Sequence, residues 1–222
     1  MRRRRRGYSQ RVASDKELVR RLLRRAGTTY AQEAGIRLRN QPMPLFQLLM
    51  LCLLASKPID SAIAARAARE LFATGLRTPH TVLKADRQTL IDALGRADYR
   101  RYDESAASQL IDLAQTAQTN YGGDLRLLAE RGGRDLAAAA QALKTFTGLG
   151  DVGASIFLRE VQDVWPWARS TFDDRALNAA RELGLPGDPR ELGALSQGRN
   201  AQLAAALVRY AADAGIRERM AE

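Results

Sequence analysis

Two stretches of this chain carry residue types and spacings that can do chemistry. The first is Thr147-Gly148-Leu149-Gly150-Asp151-Val152-Gly153-Ala154, which follows the helix-forming run ending at Leu143-Lys144. Glycines at 148 and 150 let the backbone turn at φ values that a β-carbon resists, and they leave amide N–H groups exposed where the next helix starts. Such amides bind a phosphate of DNA without reading base sequence. The second stretch is the pair Asp173-Asp174 ahead of an apolar-periodic segment. An aspartate there caps the first amides of a helix.

The elements that must position these residues are almost entirely helical. Apolar residues recur at three- and four-residue spacing and no sustained alternation marks a strand, so an all-α chain of about ten helices is expected. The segments are 15–26, 44–56, 60–74, 88–95, 104–120, 132–146, 151–163, 173–184 and 198–214. Start signals stand at Ser14-Asp15, Asp60-Ser61, Thr78-Pro79 and Asp173-Asp174. Breaks fall at Gly122-Gly123, Gly132-Gly133, Trp165-Pro166-Trp167 and Pro186-Gly187. The longest apolar run, Leu45–Ala55, is shorter than the about 20 residues that cross a bilayer, and it reads as a buried core helix.

Charge narrows the partner. The formal net charge is +10 and the pI near 10.4, which draws the surface to a polyanion, nucleic acid first. All but four of the 35 basic residues (Lys16, Lys57, Lys84, Lys144) are arginine, a bias that suits bidentate phosphate contacts and equally a GC-rich genome. Arg2 through Arg6 account for half of the net charge and are expected to form a disordered arm over residues 1–14, either a nonspecific DNA tether or a tail without a role. No apolar stretch follows them to make a secretory leader. Cys52 is the only cysteine and His80 the only histidine, so a disulfide, a cysteine metal site or a transition-metal catalyst is not expected.

The glycine hairpin, the stretch Phe172-Asp173-Asp174-Arg175 running on to Leu183-Gly184-Leu185, and the block Pro44-Leu45-Phe46 through Leu54 to Lys57-Pro58-Ile59-Asp60 follow one another in order. Together they resemble the helix-hairpin-helix (HhH-GPD, endonuclease III-like) superfamily of DNA glycosylases from about Pro44 to Leu185. The resemblance implies two helical lobes with a DNA groove between them. One lobe is continuous over 43–163 and ends in the hairpin; the other joins 15–42 to 164–222 and carries the catalytic aspartate. Thr147, Gly148, Leu149, Gly150, Val152 and Gly153 then grip the backbone of double-stranded DNA. Lys57 stands in the loop that, in relatives, fills the gap left by a flipped base; an exposed loop lysine without a role is the equal alternative.

The resemblance also implies the chemistry. Breaking an N-glycosidic bond builds positive charge on the sugar, and a nearby carboxylate stabilises it and orients the attacking water. Asp173 is the first choice and Asp174 its rival, since some alkylpurine-directed relatives use the second of two aspartates. Relatives with strand-cleaving activity carry a lysine nucleophile where this chain has Val152, so a monofunctional glycosylase of base-excision repair is expected, acting on an alkylated purine or a deaminated or mismatched base. The iron–sulfur cluster of many members is not expected, because its cysteines are missing; an alkali or alkaline-earth ion on hairpin carbonyls is compatible with the family.

Departures from the family pattern are Asp151, a carboxylate beside the phosphate site that needs an offsetting cation such as Arg159 or Arg169, and Thr147 in place of proline. Tyr99 and Tyr102 lie near the start of the family's lesion pocket, with core packing as the alternative. Trp165 and Trp167 either brace the chain or wall that pocket. Two other functions fit the same residues: a damaged- or bent-DNA-binding protein without catalysis, and a bifunctional lyase with a displaced lysine such as Lys144 or Lys57. A monomer in the cytoplasm, associated with the nucleoid and with no membrane partner, is expected.

Overall fold

The computed structural model describes residues 2–221, with side chains described from Val12 onward. It is all-α: fourteen α-helices and one 3-10 turn, with no strand among the described residues. The chain divides into two compact units, Met1–Thr29 with Ala168–Glu222, and Tyr30–Trp167.

The continuous unit is built around α3 (Pro42–Ala55), which follows α1 (Arg2–Ala26) and α2 (Tyr30–Glu33). A helix that is apolar all round belongs inside a core rather than on a surface. Accordingly every residue from Leu45 to Leu54 is buried, and each sealed leucine contributes about 1.5–3 kcal/mol over an exposed one. Around it run α4 (Ser61–Ala73), α5 (Pro79–Lys84), α6 (Arg87–Arg96), α7 (Asp103–Tyr121), α8 (Arg126–Arg131), α9 (Leu136–Lys144) and α10 (Gly150–Val161). Of these, α4, α7 and α10 pack directly on α3, and α9 packs on α10.

Residues 30–42 and 164–167, grouped in the sequence reading with the discontinuous lobe, belong to this unit. The amide of Ala31 donates to the Glu160 carboxylate at 2.9 Å, Arg159 lies 5.0 Å from the centre of the Tyr30 ring, and the Trp165 indole donates to Asn40 at 2.9 Å. The expected helix 132–146 starts only at Leu136, because Gly133 and Arg134 take left-handed φ values (63° and 58°) and Asp135 caps the amide of Ala138. The short helices α2, α5 and α8 have no counterpart among the sequence segments.

The second unit packs α11 (Asp174–Glu182), α12 (Pro189–Leu195), α13 (Asn200–Ala212) and α14 (Ala214–Ala221) with α1. Its core joins Val19, Leu22 and Leu23 of α1 to Ala176, Ala179 and Ala180 of α11 and to Leu203 and Leu207 of α13. The start expected at Ser14-Asp15 lies inside α1, whose backbone is helical from Arg2. The arm expected over 1–14 falls mostly on residues whose side chains lie outside those described. No helix among the described residues is long and apolar enough to cross a membrane.

Candidate nucleic-acid interface

The hairpin between α9 and α10 is held by its apolar residues and leaves its polar backbone outside. Phe146 and Leu149 are buried, and the Phe146 ring stacks on Tyr121 with centroids 5.9 Å apart. Pinned at both points, the chain crosses Gly148 at φ 83° and Gly150 at φ 52°, left-handed values at which a side chain is strained. Leu149, the residue before α10, offers no side-chain cap. The amide of Leu149 donates to Phe146 and that of Gly153 to Leu149, but those of Thr147, Gly148, Gly150, Asp151 and Val152 have no acceptor among the described residues. Thr147, Gly148, Gly150, Asp151 and Val152 are all exposed, so water serves these donors in the free protein.

The hairpin touches the loop that carries Lys57. Ser56, which ends α3, donates its hydroxyl to the Cys52 carbonyl at 2.6 Å and lies 3.3 Å from the Leu149 carbonyl. A β-carbon on Gly153 would stand 2.5 Å from that hydroxyl oxygen and 2.8 Å from Leu149 Cγ. Gly153 is therefore glycine for close approach, not for its backbone angles. The half-buried Lys57 follows directly, so α3 delivers its loop to the α10 start. Sequence reasoning named Lys57 and the hairpin but not Ser56, the residue that joins them.

Asp151 is offset by Lys144, whose ammonium lies 2.9 Å from its carboxylate. Of the two arginines suggested by the sequence, Arg159 does not do this. It is buried with Glu160, 3.9 Å away; Arg169 is a residue of the discontinuous unit. Among the described residues Val152 is the most exposed of the large apolar side chains, at 59%. It stands at the open face of the hairpin.

Asp173 and Asp174 open α11 in the second unit. Asp173 is half-buried and accepts the amide of Ala176 at 2.9 Å, while Asp174 is exposed in the first turn. The helix ends as its sequence predicts. Gly184 takes φ 73° and the Leu185 amide reaches back to the Ala180 carbonyl at 2.9 Å. Both aspartates thus project from a helix fixed at each end.

The aromatic candidates are used by the core of their own unit. Tyr99 is fully enclosed and donates its hydroxyl to the Leu54 carbonyl at 2.7 Å; burial pushes its ionisation well above the usual phenol range, and neighbouring Tyr102 adds to the shift. It has no free face for a base. Tyr102 is half-buried beneath the guanidinium of Arg101, 5.3 Å from its ring centre. Trp165 is buried between Phe157 and Trp167, with centroids at 5.6 and 5.1 Å, so it braces the chain beside α10 and only Trp167 keeps partial exposure. Cys52 is sealed inside α3; burial, then the nearby Glu160 charge, raise its thiol well above the ordinary range, and it packs as an apolar residue.

Comparison with protein-family models, with curated proteins and with solved structures finds no match in any of the three.

Proposed function

We propose that the chain is a monofunctional DNA glycosylase of the helix-hairpin-helix type. On this reading it acts in base-excision repair on double-stranded DNA carrying an alkylated purine or a deaminated or mismatched base. The observation that carries this reading is the hairpin: five amides of exposed residues, without acceptors among the described residues, at a helix start beside the Lys57 loop. A phosphate is an acceptor-only anion of the right size for such a group of donors. Because phosphates recur along any duplex, this grip is independent of base sequence and leaves lesion choice to other residues.

The chemistry assigned to Asp173 is hydrolytic. Its carboxylate faces the positive charge that develops on the deoxyribose as the base departs with the bonding electrons, and it accepts a proton from the water that adds to C1′. The target nucleotide must leave the stack for this to happen. Two observations support hydrolysis over a lyase pathway: Val152 supplies no amine, and the amine of Lys144 is engaged by Asp151. A binding protein without catalysis is the second reading, favoured by one observation, that Asp173 serves as the cap of α11, with one carboxylate oxygen accepting the Ala176 amide.

The test is base release from duplexes bearing a panel of alkylated, deaminated and mismatched bases, with and without alkali, for wild type, Asp173→Asn and Asp174→Asn. Strands that break only after alkali, with release lost in Asp173→Asn and kept in Asp174→Asn, are the expected outcome. Tight binding with no release from any lesion gives the second reading. Breakage without alkali gives the lyase.

A further inference from the structure

Ser170 and Gly193 each carry the residue type that the backbone of the other favours. Ser170, in the loop that leads into α11, takes φ 66°, a left-handed value at which glycine is at ease and a β-carbon is strained. Gly193 lies inside α12, where glycine is among the least favourable residues and alanine the most favourable. Among the described residues, Asp98, Arg134 and Gln197 also combine a side chain with a left-handed φ, but they are exposed shortly beyond helix ends. Ser170 is half-buried.

The two irregular choices answer one another in space. A β-carbon on Gly193 would stand 2.6 Å from the Ser170 hydroxyl oxygen and 3.5 Å from its Cβ, so the Ser170 side chain occupies the place that an alanine at 193 would fill. The rest of the seat is polar and buried. The Asn200 carboxamide stands 3.3 Å from the same point, and the Ser196 hydroxyl lies 2.8 Å from the Gly193 carbonyl and 2.6 Å from that carboxamide.

What the pair holds is the approach to Asp173. The Thr171 hydroxyl donates to the Ala168 carbonyl at 2.6 Å and Phe172 enters the core of the unit, so the contact of Ser170 with α12 adds a further fixed point to the segment 168–172. Asp173 itself has extended backbone, φ −74° and ψ 167°, and its place is set by the chain before it as well as by its cap on Ala176. Selection for stability alone would exchange the two residue types. Strain kept instead in a packed loop that ends on this carboxylate points to a function that needs the loop where it is.

We propose that Ser170, seated on Gly193, is a positioning residue for Asp173: it fixes the loop so that the carboxylate stands where charge develops on the sugar. The inference rests on the hydrolytic reading of Asp173 and adds to it the device that holds the residue in place. Misplacement of such a group by about 1 Å slows a reaction about a hundredfold, while contacts to the duplex backbone are left as they were.

The test compares single-turnover base release from the lesion panel at saturating enzyme, affinity for undamaged duplex, and thermal midpoint. The full chain is used as wild type, Ser170→Gly, Gly193→Ala and the double variant. Gly193→Ala alone drives a methyl group against the Ser170 hydroxyl and is expected to lower both midpoint and release. Ser170→Gly relieves the strained φ but empties the seat, and the double variant fills the seat again from the side of α12. The double variant is expected to melt about 2–4 °C above wild type, to bind duplex with wild-type affinity, and to release base about tenfold to a hundredfold more slowly. Stability and release then move in opposite directions, which a merely structural role for Ser170 does not produce. If the double variant releases base at the wild-type rate, the inference falls and the hydrolytic reading stands. If release and duplex affinity fall together, Ser170 serves binding and the inference falls likewise. Wild-type protein that releases no base from any lesion overturns both.

Discussion

The chain starts α10 and α11 in opposite ways. At α11, Asp173 turns its carboxylate back onto the amide of Ala176, so one donor at the helix start is satisfied from within. At α10, Leu149 buries itself and caps nothing, while the exposed glycines on either side of it take left-handed φ values and their amides have no acceptor among the described residues. Capping contributes about 1 kcal/mol, so leaving α10 without it has a real cost. The difference separates two kinds of chemistry: one start presents unspent donors for an anion, and the other presents carboxylates.

Substitutions at four positions sharpen or break this contrast. The largest stability effect belongs to Gly153→Val, because a β-carbon there stands 2.5 Å from the Ser56 hydroxyl. Overpacking of this kind costs about 3 kcal/mol. Urea titration is expected to show it, with DNA affinity falling as the Lys57 loop and the hairpin are pushed apart; an unchanged midpoint would show that the contact is slack. Asp173→Ala removes a cap and is expected to lower stability by about 1 kcal/mol, while Asp173→Asn, which caps as well, leaves the thermal midpoint nearly in place. On the proposed function base release is expected to be lost in both, so that activity and stability part company at this residue.

Gly150→Ala tests the left-handed turn alone. Nothing lies within 4 Å of the added carbon, so only backbone strain opposes it, about 1 kcal/mol at φ 52°. Gly150→Asn is expected to cost less, since asparagine tolerates this region, and a loss in Ala and Asn alike would point to a steric cause instead. Smallest in stability is Lys144→Gln. Its partner Asp151 is 89% exposed and such pairs contribute under about 0.5 kcal/mol. Its effect is expected in DNA affinity, which drops severalfold at low salt and recovers toward wild type as salt screens the unpaired Asp151.

What the sequence disclosed, and what it hid, follows from where each signal sits. Helix ends were legible where one residue makes the end: Asp60 caps Ala62, Thr78 and Thr81 cap one another, and Gly122 takes the left-handed φ of a helix terminus. Ser14-Asp15 misled because aspartate is also tolerated inside a helix, here α1. The hairpin was legible because glycine spacing reports backbone angles directly. Its surroundings were not. Ser56, Gln109 and Lys144 reach it from the end of α3, from α7 and from α9, and a serine, glutamine or lysine in a helix or loop carries no mark of a distant neighbour. For Tyr99 and Trp165 the sequence left stacking on a base and packing in the core both open, since aromatic residues near a site suit either; burial decides for the core.

The most direct test of the central claim, that the hairpin's unspent amides receive a DNA phosphate, is an amide proton–nitrogen correlation spectrum recorded as undamaged duplex is added. The account predicts that the signals of Gly148, Gly150, Asp151 and Val152 shift together and saturate with the bound fraction, while that of Ala176, already bonded to Asp173, moves little. Saturated binding that leaves the four hairpin amides where they were would contradict it.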